Sequence, residues 1–220
     1  MSVSLASLID HTQLRPDAGA AEIDQLCREA LEQRFAAVCV HGCWVRRCAE
    51  QLAGSGIAVC AVVGFPLGAM ASEVKAYEAQ RALADGAREI DMVLNLGALK
   101  SGEHEYVRRE IAELAGLCHG AGALLKVILE TALLTDAQKV AACGLARAAD
   151  ADFVKTSTGF APGGATVEDV ALLRRSVGPA MGIKAAGGVR DAETARALLA
   201  AGATRLGSSA SVAIVSSPGG

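Results

Sequence analysis

The sequence predicts a single-domain α/β protein folded as a closed (β/α)8 barrel of the TIM type. Three observations predict it. A short apolar run, a Gly-rich or polar break and an amphipathic stretch rich in Ala, Leu, Glu and Arg follow one another along the whole chain, which is the alternation of a parallel sheet with helical crossovers. The apolar runs number eight, whereas a doubly wound sheet usually stops at about five to seven strands. The 220 residues suffice for one large core.

The strands are expected at Leu8–Thr12, Phe35–His41, Ile57–Gly64, Glu89–Asn95, Leu124–Glu130, Asp152–Thr158, Gly182–Ala186 and Thr204–Ser208. The intervening helices carry their own punctuation. Thr135-Asp136-Ala137-Gln138 is a capping box, in which the hydroxyl and the amide each satisfy an orphan backbone N–H, and Thr166-Val167-Glu168-Asp169 is a weaker version. Gly86, Gly122 and Gly202 each close a helix just before the next strand, as a residue in the left-handed region does. The barrel is expected over residues 1–215, with residues 216–220 a flexible C-terminal tail.

Composition excludes several classes of partner. A net charge of −3 without a basic run argues against a nucleic-acid surface, and 3% aromatic residues leave few platforms for stacking bases. The first residues lack a basic, apolar leader pattern, and no apolar run reaches the length that spans a bilayer, so no membrane association and a cytoplasmic location are expected. Seven cysteines without paired-knuckle spacing read as reduced thiols serving as small apolar residues. His11 and His41 have no ligand at metal-binding spacing, so no metal and no cofactor is expected. The expected partners are small molecules.

Strand parity identifies what faces the interior. In Leu124–Glu130 the polar Lys126 and Glu130 alternate with Leu125, Val127 and Leu129, and helices must cover the apolar face, so Lys126 and Glu130 point inward. The same argument turns Asp91, Lys155 and Lys184 inward, and Cys39 with them. A lysine in a strand centre is rarely buried unless something pairs with it or uses it. The alternatives are a structural ion-pair cluster and a reactive amine; cations in excess of the acids Asp91 and Glu130 favour the amine.

Such an excess serves Schiff-base chemistry. The attacking amine must be neutral, and bringing a lysine from about 10.4 to about 7–8 asks the site for roughly 4 kcal/mol of differential destabilisation of the ammonium. Burial and a neighbouring ammonium supply destabilisation of that kind. The iminium then withdraws electrons and permits carbon–carbon bond cleavage or formation, with Asp91 placed to move a proton directly or through water. Parity leaves open which of Lys155 and Lys184 reacts.

The segments Ile9-Asp10-His11-Thr12, Val62 to Gly68, Glu89 to Asn95, Leu125 to Thr131, Phe153 to Phe160 and Ile183 to Arg190 together resemble the deoxyribose-phosphate aldolase family, in consistent order from about residue 8 to residue 212. The resemblance implies a metal-independent class I aldolase, a lyase that reversibly cleaves 2-deoxy-D-ribose 5-phosphate into acetaldehyde and D-glyceraldehyde 3-phosphate. It implies Lys155 as the nucleophile, Lys184 as the residue that perturbs it, Asp91 in the proton relay and Lys126 as a partner. It further implies that Asp10 and Thr12 hold substrate hydroxyls, and a homodimer through outer helices. The rival readings are another Schiff-base sugar-phosphate aldolase or transaldolase, and a catalytically silent barrel that binds a phosphorylated ligand.

A sugar phosphate needs an anion site, which barrels often build from the loops after the seventh and eighth strands. Gly187, Gly188, Gly207, Ser208 and Ser209 fall there, where glycines admit backbone N–H groups and serines add donors. Thr158 and Gly159, after the sixth strand, Lys126 and Cys39 are the other expected substrate contacts. Three features depart from the family pattern. Phe160 stands where some relatives have a lysine, Ala210 replaces the second of two consecutive serines, and the tyrosines are Tyr77 and Tyr106, neither in the tail.

Overall fold

The structure, a computed structural model, describes residues 4–217. Eight parallel strands close into a barrel in sequence order: β1 (Ile9–Thr12), β2 (Ala37–Val40), β3 (Ala58–Val63), β4 (Glu89–Val93), β5 (Leu124–Ile128), β6 (Phe153–Lys155), β7 (Gly182–Ala186) and β8 (Arg205–Ser208). All eight expected strands are present, and β7 has the expected limits. The others are shorter: β4 and β5 stop early where the chain turns into the loops of the barrel mouth, β1 and β8 start one residue late, and β2, β3 and β6 lose residues at both ends, where apolar patterning persists beyond the ladder.

The helices are α1 (Ala20–Gln33), α2 (Val45–Gln51), α3 (Ser72–Ala84), α4 (Leu96–Lys100), α5 (His104–Gly120), α6 (Asp136–Ala148), α7 (Val167–Val177), α8 (Ala192–Ala200) and α9 (Ser211–Ser216). Helix α6 starts at the expected capping box, with Thr135 accepting from the Gln138 N–H, and Thr166 caps α7 by accepting from Asp169. Gly86, Gly122 and Gly202 all have positive φ, at 108°, 66° and 117°. Of the expected tail, Ser216 ends α9, Ser217 donates its hydroxyl to the Ala213 carbonyl, and residues 218–220 lie outside the described residues.

Two cores result from the alternation. The outward residues of the strands, among them Ile9, Val38, Val59, Ile90, Leu125, Val154, Ile183 and Leu206, pack with the helices into one continuous shell. A smaller cluster of Ala37, Cys39, Cys60 and Val62 fills the β2–β3 side of the interior. Much of the rest of the interior is ionic, where barrels of this fold usually hold branched apolar side chains.

One ion pair outside the barrel bolts the helices to the strand ends. Lys75 and Glu110 are both fully buried and 2.9 Å apart, and Lys75 Nζ also donates to the Val93 carbonyl at 2.9 Å, where β4 stops. A Cβ at residue 64 would lie 3.0 Å from Lys75 Cε, and Gly64 has φ of 64°, so glycine is required there for two reasons.

Candidate active site

Lys155 ends β6 and Lys184 is the middle residue of β7, and the two are register partners across the ladder. Asp91 and Lys126 are register partners between β4 and β5. Because all four point inward, they meet at the axis. Asp91 Oδ2 accepts from Lys155 Nζ at 2.8 Å and from Lys184 Nζ at 2.7 Å, while Oδ1 accepts from Lys126 at 2.7 Å and from the Cys60 thiol at 3.1 Å.

The neighbouring ammonium is present as expected, and Asp91 stands between Lys155 and Lys184. Of the two acids expected in the interior, Asp91 is there and Glu130 is corrected. Strand β5 ends at Ile128, and Glu130 takes a left-handed conformation (φ 51°) that carries its carboxylate away from the lysines to Thr158, whose hydroxyl and N–H both donate to it. The acids that do share the interior with Asp91 are Asp10 and Glu89. Asp10 contacts Lys184 at 2.5 Å and Arg205 at 2.6 Å, and Glu89 contacts Lys126 at 2.5 Å and Arg205 at 3.2 Å.

Glu89 and Arg205 were missed, although parity would have found them: Glu89 is two residues before Asp91, and Arg205 two before Gly207. The excess of cations over acids persists with the corrected membership. Lys126, Lys155, Lys184 and Arg205 stand against Asp10, Glu89 and Asp91.

Burial and pairing act in opposition on these groups. Burial alone would raise the pKa of Asp91, but attraction to Lys126, Lys155 and Lys184 dominates and holds it well below the usual carboxylate range. Asp10 is held down in the same way by Lys184, Lys126 and Arg205. Burial would drive a proton off Lys184, yet Asp10 and Asp91 keep its pKa above the ordinary lysine range, and Asp91 does the same for Lys126.

Above this network a cavity of about 320 Å³ opens at the C-terminal ends of the strands. Of the three lysines, Lys155 lines it; Lys126 and Lys184 lie beneath, fully buried. Thr12, Thr158, Gly159, Gly187, Gly188, Gly207, Ser208 and Ser209 line it as expected. The substrate contacts expected of Asp10, Cys39 and Lys126 are corrected: all three side chains are fully buried outside the lining, where Asp10 and Lys126 serve as charge partners and Cys39 packs on the apolar side of the interior.

Gly187 and Gly188 both have positive φ (88° and 78°), which folds the β7 loop back over the mouth. The Ser208 hydroxyl is committed to the Val189 carbonyl at 2.6 Å and ties the last two loops together, whereas Ser209 is exposed. Arg190 and Arg15 also line the cavity. Neither was singled out from sequence; Arg190 lies two residues after the Gly187-Gly188 turn, which is the signal that could have found it. Phe160, half-exposed, lines the same cavity and packs edge-on against Phe65 with ring centres 5.2 Å apart.

A family model described as DeoC/LacD family aldolase matches residues 4–213. The deoxyribose-phosphate aldolase of Enterococcus faecalis is 56% identical over 97% of both chains, and that of Brevibacillus brevis is 58% identical over 97% of this chain and 96% of its own. A structure described as a unique tetrameric deoxyribose phosphate aldolase from Aeropyrum pernix superposes with a TM-score of 0.91 at 37% identity, covering 97% of this chain and 90% of that one. The chain therefore belongs to the DeoC/LacD family of aldolases.

Proposed function

We propose that this protein is a class I aldolase, a lyase that reversibly cleaves 2-deoxy-D-ribose 5-phosphate to acetaldehyde and D-glyceraldehyde 3-phosphate through a Schiff base on Lys155. The observation that carries the reading is the different setting of the two lysines left open by sequence. Lys184 is locked by Asp10 and Asp91 beneath the floor, whereas Lys155 reaches the cavity and shares a single carboxylate oxygen. The high identity to deoxyribose-phosphate aldolases over nearly the full length supports the substrate.

The chemistry follows from the geometry. Neutral Lys155 adds to the sugar aldehyde, and loss of water gives an iminium whose positive charge sits where the ammonium was, against Asp91 Oδ2. The bond between the second and third sugar carbons then breaks as the third carbon's hydroxyl loses its proton, and its electrons form an enamine on the two-carbon fragment. Protonation of that enamine and hydrolysis release acetaldehyde and restore the lysine. Because the iminium is the electron sink, the sequence of steps needs no metal.

Asp91, held ionised by three ammonium groups, steadies the iminium and passes protons together with Lys184. Gly187, Gly188, Ser209 and Arg190 hold the phosphate; Arg190 supplies a charge-assisted contact in place of the lysine that Phe160 displaces. That Thr12 and Thr158 line the cavity supports contacts from them to substrate hydroxyls.

A cytoplasmic location and a homodimer through outer helices complete the reading. Among the described residues no helix is long and apolar enough to cross a membrane, and all seven cysteines are free, as a reducing compartment keeps them. Exposed Val74 and Tyr77 on α3 offer an apolar contact face, and light scattering of the purified protein measures the assembly.

The test is incubation with acetaldehyde and borohydride followed by peptide mass mapping. Ethylation of Lys155, lost in Lys155→Met, is the expected result. Modification of Lys184 instead, or no adduct at all, overturns it.

A further inference from the structure

Beneath the lysines lies an ionic layer that the chemistry above does not use. Arg205 opens β8, and its Nη1 donates to Asp10 Oδ1 at 2.6 Å and to both Glu89 oxygens at 3.2 Å. The guanidinium also sits 5.8 Å from the centre of the Phe153 ring. Burial disfavours its charge, but Asp10 and Glu89 outweigh that and hold it protonated.

Asp10 offers its other oxygen to Lys184, and Glu89 reaches Lys126. Charge thus alternates through the barrel interior. Arg205 is followed by Asp10 and Glu89, these by Lys126 and Lys184, these by Asp91, and Asp91 by Lys155 at the cavity floor. Four cations against three carboxylates leave one positive charge in surplus. Lys155 can relieve it, because it alone of the three lysines lines the cavity and its carboxylate contact is one oxygen shared with Lys184. Loss of its proton brings the interior to three against three; without Arg205 that balance would already exist with Lys155 still an ammonium.

We propose that Arg205 is a positioning residue for the reaction, the buried charge that acts through Asp10 and Lys184 to make Lys155 the amine that surrenders its proton. This rests on the Schiff-base reading above. The titratable and charged groups facing Lys155 are Asp91 from β4, Lys184 from β7, Lys126 from β5, Asp10 from β1, the thiols Cys39 from β2 and Cys60 from β3, and Arg15 and Arg190 on the wall of the same cavity, with Arg205 acting from β8 one layer deeper. The buried thiols Cys39 and Cys60 share this interior, so adduct formation at Lys155 itself has to be followed beside turnover.

The experiment measures, against pH, both kcat/KM for cleavage of 2-deoxyribose 5-phosphate and the yield of ethylated Lys155 with acetaldehyde and cyanoborohydride. Wild type is compared with Arg205→Met, Arg205→Lys and Glu89→Gln. The acid limb of both profiles is expected to move up by about one pH unit in Arg205→Met, the shift that one charge about 10 Å away produces at an effective dielectric of about 20. Arg205→Lys keeps the wild-type limb, and Glu89→Gln, which adds to the surplus, moves it down by a similar amount.

A purely structural role for Arg205 would not produce opposite shifts. Limbs that stay together, or that move in one direction in Arg205→Met and Glu89→Gln, overturn the proposal while leaving the Schiff-base reading intact. A wild type that forms no adduct at Lys155 overturns the Schiff-base reading itself and this proposal with it. Should Arg205→Met fail to fold, Glu89→Gln decides: a downward shift supports the role and an unmoved limb overturns it.

Discussion

Lys155 and Lys184 bond the same atom, Oδ2 of Asp91, at 2.8 and 2.7 Å. One carboxylate oxygen therefore governs both the amine at the cavity floor and the ammonium under it.

Asp91→Asn tests that dependence. The amide keeps the shape but leaves Lys126, Lys155 and Lys184 without their common counter-charge, and breaking a buried pair from one side typically costs about 3–5 kcal/mol. Denaturant unfolding is expected to show a loss of that size, and kcat for cleavage to fall by about 10²-fold or more. Wild-type stability in the variant would contradict the network described.

Gly207→Ala probes the room that Lys184 needs. A Cβ there would lie 3.0 Å from both Lys184 Cε and Ala186 Cβ, so the lysine chain that reaches Asp91 must give way. Overpacking of this kind is worth about 1–3 kcal/mol. The expected kinetic signature is a lower kcat with KM little changed, read from initial rates.

Arg190 separates phosphate binding from chemistry. Arg190→Ala is expected to raise KM for the phosphorylated sugar by about 10–100-fold, the equivalent of a charged hydrogen bond. Cleavage of unphosphorylated 2-deoxyribose is expected to stay as in wild type. Equal losses on both sugars would show that Arg190 acts on the fold and not on the phosphate.

His11 makes stability depend on pH. Its Nε2 lies 2.7 Å from Glu29, while Nδ1 is buried without a partner, so the neutral ring fits the site and the protonated ring would bury an unpaired N–H. Burial, outweighing Glu29, sets its pKa below the ordinary 6.5. The unfolded chain therefore binds the proton more readily, and stability from this residue is complete above about 6.5 and is lost as pH falls through the folded value. Between pH 7 and pH 5 the unfolding free energy of wild type is expected to drop more steeply than that of His11→Gln.

Much of this was legible in sequence, for reasons that separate the parts. Lys126, Lys155, Lys184 and Asp91 could be turned inward because a strand under helices must show them its apolar face. The same rule reaches Glu89 and Arg205, which stand two residues before Asp91 and Gly207 in the same alternation. Glu130 escaped because parity holds only while the backbone is extended, and a left-handed turn ends that at the close of β5. Asp10 reads as a loop-end contact by its position in the chain; only the closure of β8 onto β1 reveals that Lys184 and Arg205 claim it. Arg15 and Arg190 come from loops on opposite sides of the β1–β8 seam, and no periodicity predicts where loops converge.

Every strand contributes a polar or sulfur-bearing side chain to the interior: Asp10, Cys39, Cys60, Glu89 with Asp91, Lys126, Lys155, Lys184 and Arg205. Reactivity is consequently a property of the completed ring and of no fragment. A half-barrel, or a permuted chain in which one stave fails to seat, would strand unmatched ions in a dry interior and would lose the aldehyde-capturing amine together with its stability.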